Sequence, residues 1–261
     1  MMNLRNETDS RMTGASYLNG RQETESSRRK RTIFGMILIL AAIPVVLILG
    51  MTVLRERSVY FISLGIICLA ILPFLVLFEN RRPQARELVL IAVLTAIAVA
   101  GRAAFFMIPQ FKPVTAIVII AGIALGSQAG FLTGALSGFV SNFFFGQGPW
   151  TPWQMFSFGI IGFLAGLLFH KRAEMQQESR LVICIFGGLA TLVLYGLIMD
   201  TSSFLMYTSQ VSGASLLTIY ASGLPFNLIH AASTVIFLLF LYKPLLQKLE
   251  RVKIKYGLNG M

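Results

Sequence analysis

The chain has 261 residues, 56% hydrophobic and only 13% charged, with a mean hydropathy of +0.74; a soluble domain carries about 25% charged residues. Its net charge is +11, from 22 Lys and Arg against 11 Asp and Glu. Residues 113–169 hold no Asp, Glu, Lys, Arg or His, and a bilayer crossing needs about 20 apolar residues. A water-soluble globule is excluded, and an all-α polytopic membrane protein is predicted.

Residues 1–33 are rich in Ser, Thr, Asn, Arg and Glu and end in Arg28-Arg29-Lys30-Arg31. They predict a disordered, basic cytoplasmic tail. No cleavable signal peptide is apparent. Two apolar runs, 34–54 and 58–78, flank Arg55-Glu56-Arg57 and predict a transmembrane hairpin over 34–78. The polar link at 79–87, containing Pro83, is the one internal boundary. Six further spans are predicted at 87–107, 113–126, 129–146, 152–169, 181–200 and 218–242. A single helix over 113–146 would measure about 50 Å against a hydrocarbon core of about 30 Å, so a short turn is placed at Gly126–Gly130. The uncharged polar segment 201–217 reads as a loop, and the chain from Lys243 as a basic amphipathic tail.

Orientation follows from Lys and Arg in the loops. With eight spans and the N-terminus inside, the cytoplasmic side holds 18 Lys and Arg and the outer side holds Arg55, Arg57 and Lys112. That asymmetry predicts both termini inside and accounts for the basic charge without nucleic acid. Cys68 and Cys184 sit in apolar runs and read as packing residues, not a disulfide.

Ionisable groups inside the hydrocarbon cost at least about 2.5–3.5 kcal/mol each, so their depth is informative. Arg102, Asn142, Gln147, Trp150, Trp153, Gln154, Asp200, Asn227 and His230 all fall in the outer halves of the six later spans or in their outer loops. They predict a polar cavity open to the outside. Each has a plainer alternative: Arg102 can snorkel to headgroups, the tryptophans can belong to an interfacial belt, and Asp200 can mark a helix end. Small residues take the inner half. Ala92, Ala96 and Ala100 recur every four positions, as do Gly122, Gly126, Gly130, Gly134 and Gly138; Gly159, Gly162 and Gly166 follow. Such faces let helices approach closely. The glycines read as internal packing, and the alanines equally as packing or as a face for another protein. There is no GxxxxGK[ST] loop, no HExxH and no Cys/His metal pattern.

Residues 86–256 resemble the substrate-binding S component of energy-coupling factor (ECF) vitamin transporters. The stretches that carry the likeness are 101–122 (GRAAFFMIPQFKPVTAIVIIAG), 138–166 (GFVSNFFFGQGPWTPWQMFSFGIIGFLAG) and 223–257 (GLPFNLIHAASTVIFLLFLYKPLLQKLERVKIKYG). The hairpin at 34–78 departs from the usual six helices. The resemblance implies a non-enzymatic binding subunit in a bacterial plasma membrane. Its vitamin would bind at the outer face, and its partners would be a transmembrane T component and two cytoplasmic ATPases. It also implies that Ala92, Ala96 and Ala100 touch the T component. Indole faces and amides suit a flat heteroaromatic ligand, and Arg102 suits a carboxylate or phosphate. Cobalamin or a precursor is the leading expectation, ahead of riboflavin-like or pyrimidine-type vitamins. Two other classes remain open: a membrane enzyme using His230, Asp200 and Arg102, and a structural protein whose cavity binds nothing.

Overall fold

A single residue separates the second and third of the six predicted spans. Gly126 takes φ 91° and ψ 170°, a region that side chains with a Cβ avoid, and it turns one helix directly into the next. The computed structural model describes residues 84–174 (without the side chains of 172 and 174), 179–208 and 212–257, with positions 65, 67–69, 71, 74, 75 and 78. The chain divides into two compact units, Met1–Val53 and Leu54–Met261, and every described residue lies in the second. The predicted tail and first hairpin span fall outside the described residues.

The described chain is all-helical. In order, α1 is Ala85–Ala104, α2 Val114–Leu125, α3 Ser127–Phe145, α4 Thr151–Glu174, α5 Arg180–Leu189, α6 Gly196–Tyr207 and α7 Gly213–Lys255. A π-helical turn, Ala190–Tyr195, joins α5 to α6 into one helix of 28 residues. Each of the six predicted later spans therefore has a helix at its place. Among the described residues, four segments are long and apolar enough to cross a membrane: Ala85–Ala104, Thr151–Lys171, Arg180–Tyr207 and Gly213–Lys255.

Helix α2 is the centre of the bundle. Its sequence, VTAIVIIAGIAL, is apolar all round, as a helix enclosed on every side must be, and all 12 residues are buried. It packs against α1, α3, α4 and α7. At 12 residues it is about 18 Å long. Backbone-to-backbone approach builds the α2–α3–α4 core. A Cβ on Gly122 or on Gly130 would strike the Gly162 carbonyl, and one on Gly162 would strike the Gly130 carbonyl. The predicted glycine series thus belongs to two helices that fold back on each other at Gly126. Basic side chains complete the end of α2, where carbonyls lack helical partners. Lys253 Nζ donates to the Ala124 carbonyl at 2.9 Å, and His170 Nδ1 lies 2.7 Å from the Ile123 carbonyl. At the same end, Arg86 Nη1 donates to the Tyr256 carbonyl at 2.6 Å.

Two expectations are corrected. The segment 201–217 is not one loop: α6 runs to Tyr207 and α7 starts at Gly213. Its hydroxyls bond one turn back, Thr201 to the Leu197 carbonyl and Ser203 to Met199, so polarity here does not oppose helix. A capping box between Ser212 and Ser215 opens α7. The chain after Lys243 is not a separate tail either, because α7 continues through Pro244 to Lys255 over 43 residues in all.

The helical positions of the second hairpin span pack within this unit. Ile67, Ile71, Phe74 and Phe78 are buried, whereas Leu69 and Leu75 are exposed. Phe74 stacks on Phe131 of α3 at 4.0 Å between centroids and meets Phe163 of α4 edge-on at 5.3 Å.

The glycine contacts give a direct test. Gly162→Ala should destabilise the protein by about 1–3 kcal/mol through overpacking, read as a lowered unfolding midpoint in detergent. Gly213→Ala, with nothing within 4 Å of the new Cβ, should change it by less than about 0.5 kcal/mol.

Candidate binding site

The ends of α1 and α3 and the start of α4 meet at the Arg102 end of the bundle. Arg102 does not lie free along lipid. Its Nη1 donates to Ser141 Oγ at 2.5 Å and to Asn142 Oδ1 at 2.9 Å, and its guanidinium sits 4.9 Å from the Phe145 ring centre. Asn142 is fully buried and donates through Nδ2 to Thr151 Oγ1 at 3.0 Å. Thr151 in turn donates to Gln147 Oε1 at 2.9 Å, and Gln147 Nε2 donates to the Phe139 carbonyl at 3.1 Å. One chain of hydrogen bonds therefore ties α1 to α3 and closes the 146–150 turn. Trp150 is half-buried on that turn, packed against Gly148.

The α1–α2 loop is held to α7 by Ser233, which accepts from the Lys112 amide at 2.8 Å and donates to the Lys112 carbonyl at 3.0 Å. Burial, and then the nearby Arg102 guanidinium, push the Lys112 ammonium below its ordinary range.

A second cluster joins α4, the π-helical turn, α7 and α2. Gln154 Nε2 donates to Tyr195 Oη at 3.2 Å. The Tyr195 ring meets the His230 ring edge-on at 4.5 Å, and Phe158 lies 5.0 Å from Tyr195 and 6.3 Å from His230. His230 Nε2 pairs with Thr115 Oγ1 at 3.0 Å. Gln154, Trp153 and His230 are all buried, at 8%, 4% and 4% exposure. Gln154 Oε1, Trp153 Nε1 and His230 Nδ1 have no hydrogen-bond partner among the described residues, a costly state for buried polar atoms.

Asp200 and Asn227 form a third, half-buried pair between α6 and α7, with Asn227 Nδ2 donating to Asp200 Oδ2 at 2.8 Å. The Asp200 carboxylate lies over Gly223, where a Cβ would meet it. Thr201 and Tyr220 hydroxyls pair one turn away at 2.6 Å.

The nine sequence-predicted residues thus occupy one hydrogen-bonded chain (Arg102, Asn142, Gln147), one aromatic-walled cluster (Gln154, His230) and one helix–helix pair (Asp200, Asn227), with Trp150 and Trp153 beside them. Ser141, Thr151, Thr115 and Tyr195 complete these groups and were not singled out in the sequence. The AxxxA spacing of the α1 alanines was. Ala92, Ala96 and Ala100 are exposed, on the opposite face from Ile91, Leu94 and Ala98, which the bundle buries.

Residues 83–247 match the family described as ECF-type riboflavin transporter, S component. Among curated proteins, the chain is 30% identical over 118 residues to a UPF0397 protein of Vibrio atlanticus, covering 43% of this chain and 64% of that one. It is 34% identical over 133 residues to a UPF0397 protein of Aliivibrio fischeri, covering 47% of this chain and 70% of that one. The chain thus spans just under two thirds of the Vibrio relative's length. No solved structure matches it.

Asn142→Ala should remove an acceptor from Arg102 and a donor from Thr151, costing about 2 kcal/mol of stability from the unpaired groups left behind. Gln147→Ala, on the exposed turn, should cost about 0.5 kcal/mol. Thermal unfolding of the two purified variants measures both.

Proposed function

Because the chain belongs to the family of S components of ECF-type riboflavin transporters, we propose that it is the substrate-capturing subunit of a vitamin uptake system. The observation that carries this reading is the match itself, which spans 83–247 and so reaches from the start of α1 well into α7. The family is one of transporter subunits, so the reading of His230, Asp200 and Arg102 as enzyme residues is set aside. The apolar helices make the chain a multi-pass membrane protein, and the proposed location is a bacterial plasma membrane with both termini inside.

The proposed cargo is a flavin-class vitamin. The family is of riboflavin type and gives no support to cobalamin, which was the leading expectation. A flat heterocycle also suits the buried aromatic and amide groups of α4, the π-helical turn and α7. Arg102 is a proposed contact that also fastens α1 to α3: its Nη1 donates to Ser141 and Asn142, and the rest of the guanidinium is proposed to face the cargo. The remaining proposed contacts are Asn142, Gln147, Trp150, Trp153, Gln154, Asp200, Asn227 and His230.

The proposed partners are a transmembrane T component and two cytoplasmic ATPases, since no nucleotide-binding loop occurs in this sequence. The exposed alanine face of α1 is the proposed T-component contact. Small side chains there admit a partner helix at close range, and Val89, Val93 and Ile97 beside it are exposed as well.

The test uses cells carrying the chain with a T component and its ATPases, supplied with labelled riboflavin. Wild type should accumulate label. Ala96→Trp should abolish accumulation and co-purification of the T component while leaving riboflavin affinity of the isolated chain within about twofold, because Ala96 faces away from the core. Unchanged uptake by Ala96→Trp would remove the coupling role from this face.

A further inference from the structure

Two of the orphaned polar atoms belong to side chains that both contact Tyr195. Gln154 carries its amide to the Tyr195 hydroxyl, leaving Oε1 without a donor. His230 packs against the same tyrosine ring and leaves Nδ1 without a partner. Their chemistry can be fixed further. Other buried threonines of the bundle, Thr133, Thr191 and Thr234, donate to the carbonyl one turn back, but among the described residues the Thr115 hydroxyl is partnered by His230 Nε2 alone. For its proton to be used, Thr115 must donate to Nε2. A neutral imidazole accepting at Nε2 carries its proton at Nδ1. The pair is therefore one acceptor, Gln154 Oε1, and one donor, His230 Nδ1–H.

The backbone supports the same spot. Tyr195 closes the π-helical turn Ala190–Tyr195, an insertion that costs hydrogen-bond geometry and concentrates at functional sites. The rings of Phe158, Tyr195 and His230 pack together there.

We infer that the Tyr195-centred cluster is the deep subsite of the binding pocket, built to take a neutral lactam or imide edge whose N–H meets Gln154 Oε1 and whose adjacent carbonyl meets His230 Nδ1–H. This rests on the reading of the chain as a vitamin-capturing subunit, and it adds to that reading which end of the ligand goes in first. The side chains that form the cluster itself are neutral, so what they address is the neutral edge of a ligand.

The experiment titrates the purified full-length chain with riboflavin and with 3-methylriboflavin, whose methyl replaces the imide proton. Wild type should bind riboflavin and bind the methylated probe at least about 100-fold more weakly, as sites built to pair a polar hydrogen do. Gln154→Met, matched in volume, should weaken riboflavin about tenfold, in line with one lost hydrogen bond, and should shrink the gap between the two probes. A purely structural Gln154 would lower both affinities and leave the gap unchanged, which overturns the inference. Equal binding of both probes by wild type also overturns it, without any mutant, and assigns the two orphans to internal water. A wild type that binds neither probe overturns the flavin reading and this subsite together.

Discussion

The rest of the structure depends on the contact of bare backbone among Gly122, Gly130 and Gly162. Inside a membrane, apolar burial gives helices little reason to associate, so close packing must supply it. Removing every Cβ along this line lets α2, α3 and α4 approach until carbonyls touch Cα atoms. Only then can a 12-residue helix be enclosed on all sides and the chain reverse at one glycine. The next turn, at 146–150, brings the far end of α3, with Asn142, to the beginning of α4, with Thr151.

Function is layered on this core from its periphery. Arg102 fastens α1 through Ser141 and Asn142, which fixes the alanine face of α1 outward. The long helix α7 reaches the core twice, through Ser233 at the α1–α2 loop and through Lys253 at the carbonyl end of α2. One turn before the first of these anchorages it presents His230 to Tyr195 and Phe158. Polar side chains at the Arg102 end are mostly satisfied by one another, whereas those near Tyr195 are not. A site that already satisfies itself has little left to offer a ligand, and the unsatisfied one has directed groups to spare.

Much of the fold was legible because its causes are local. The helices at the six predicted places follow from apolar runs and their breakers, and the division near Gly126 from the length of a bilayer. Arg102, Asn142, Gln154 and His230 stood out in the sequence too, since charge and amide groups are rare in such segments. What was not legible is how hydroxyl groups behave. Thr201 and Ser203 bond their own helix, so a segment that reads as a polar loop is helical over 201–207 and from 213 onward. The chain from Lys243 reads as a basic amphipathic tail, yet α7 continues through it and Lys253 is buried and caps α2. Tyr195 gave no signal because its position depends on a π-helical turn that no residue pattern announces. The bonds of Arg102 to Ser141 and Asn142 were not legible because these partners, 39 and 40 positions away, meet it only once α1 and α3 pack.

The most direct test of the central claim, capture of a flavin-class vitamin by this chain, is mass spectrometry of small molecules released from the protein purified out of membranes of cells grown on complete medium. The account predicts a near-stoichiometric heterocycle bearing a lactam or imide edge, displaced by added riboflavin. Release of lipid alone, or of a cargo with no such edge, would contradict it.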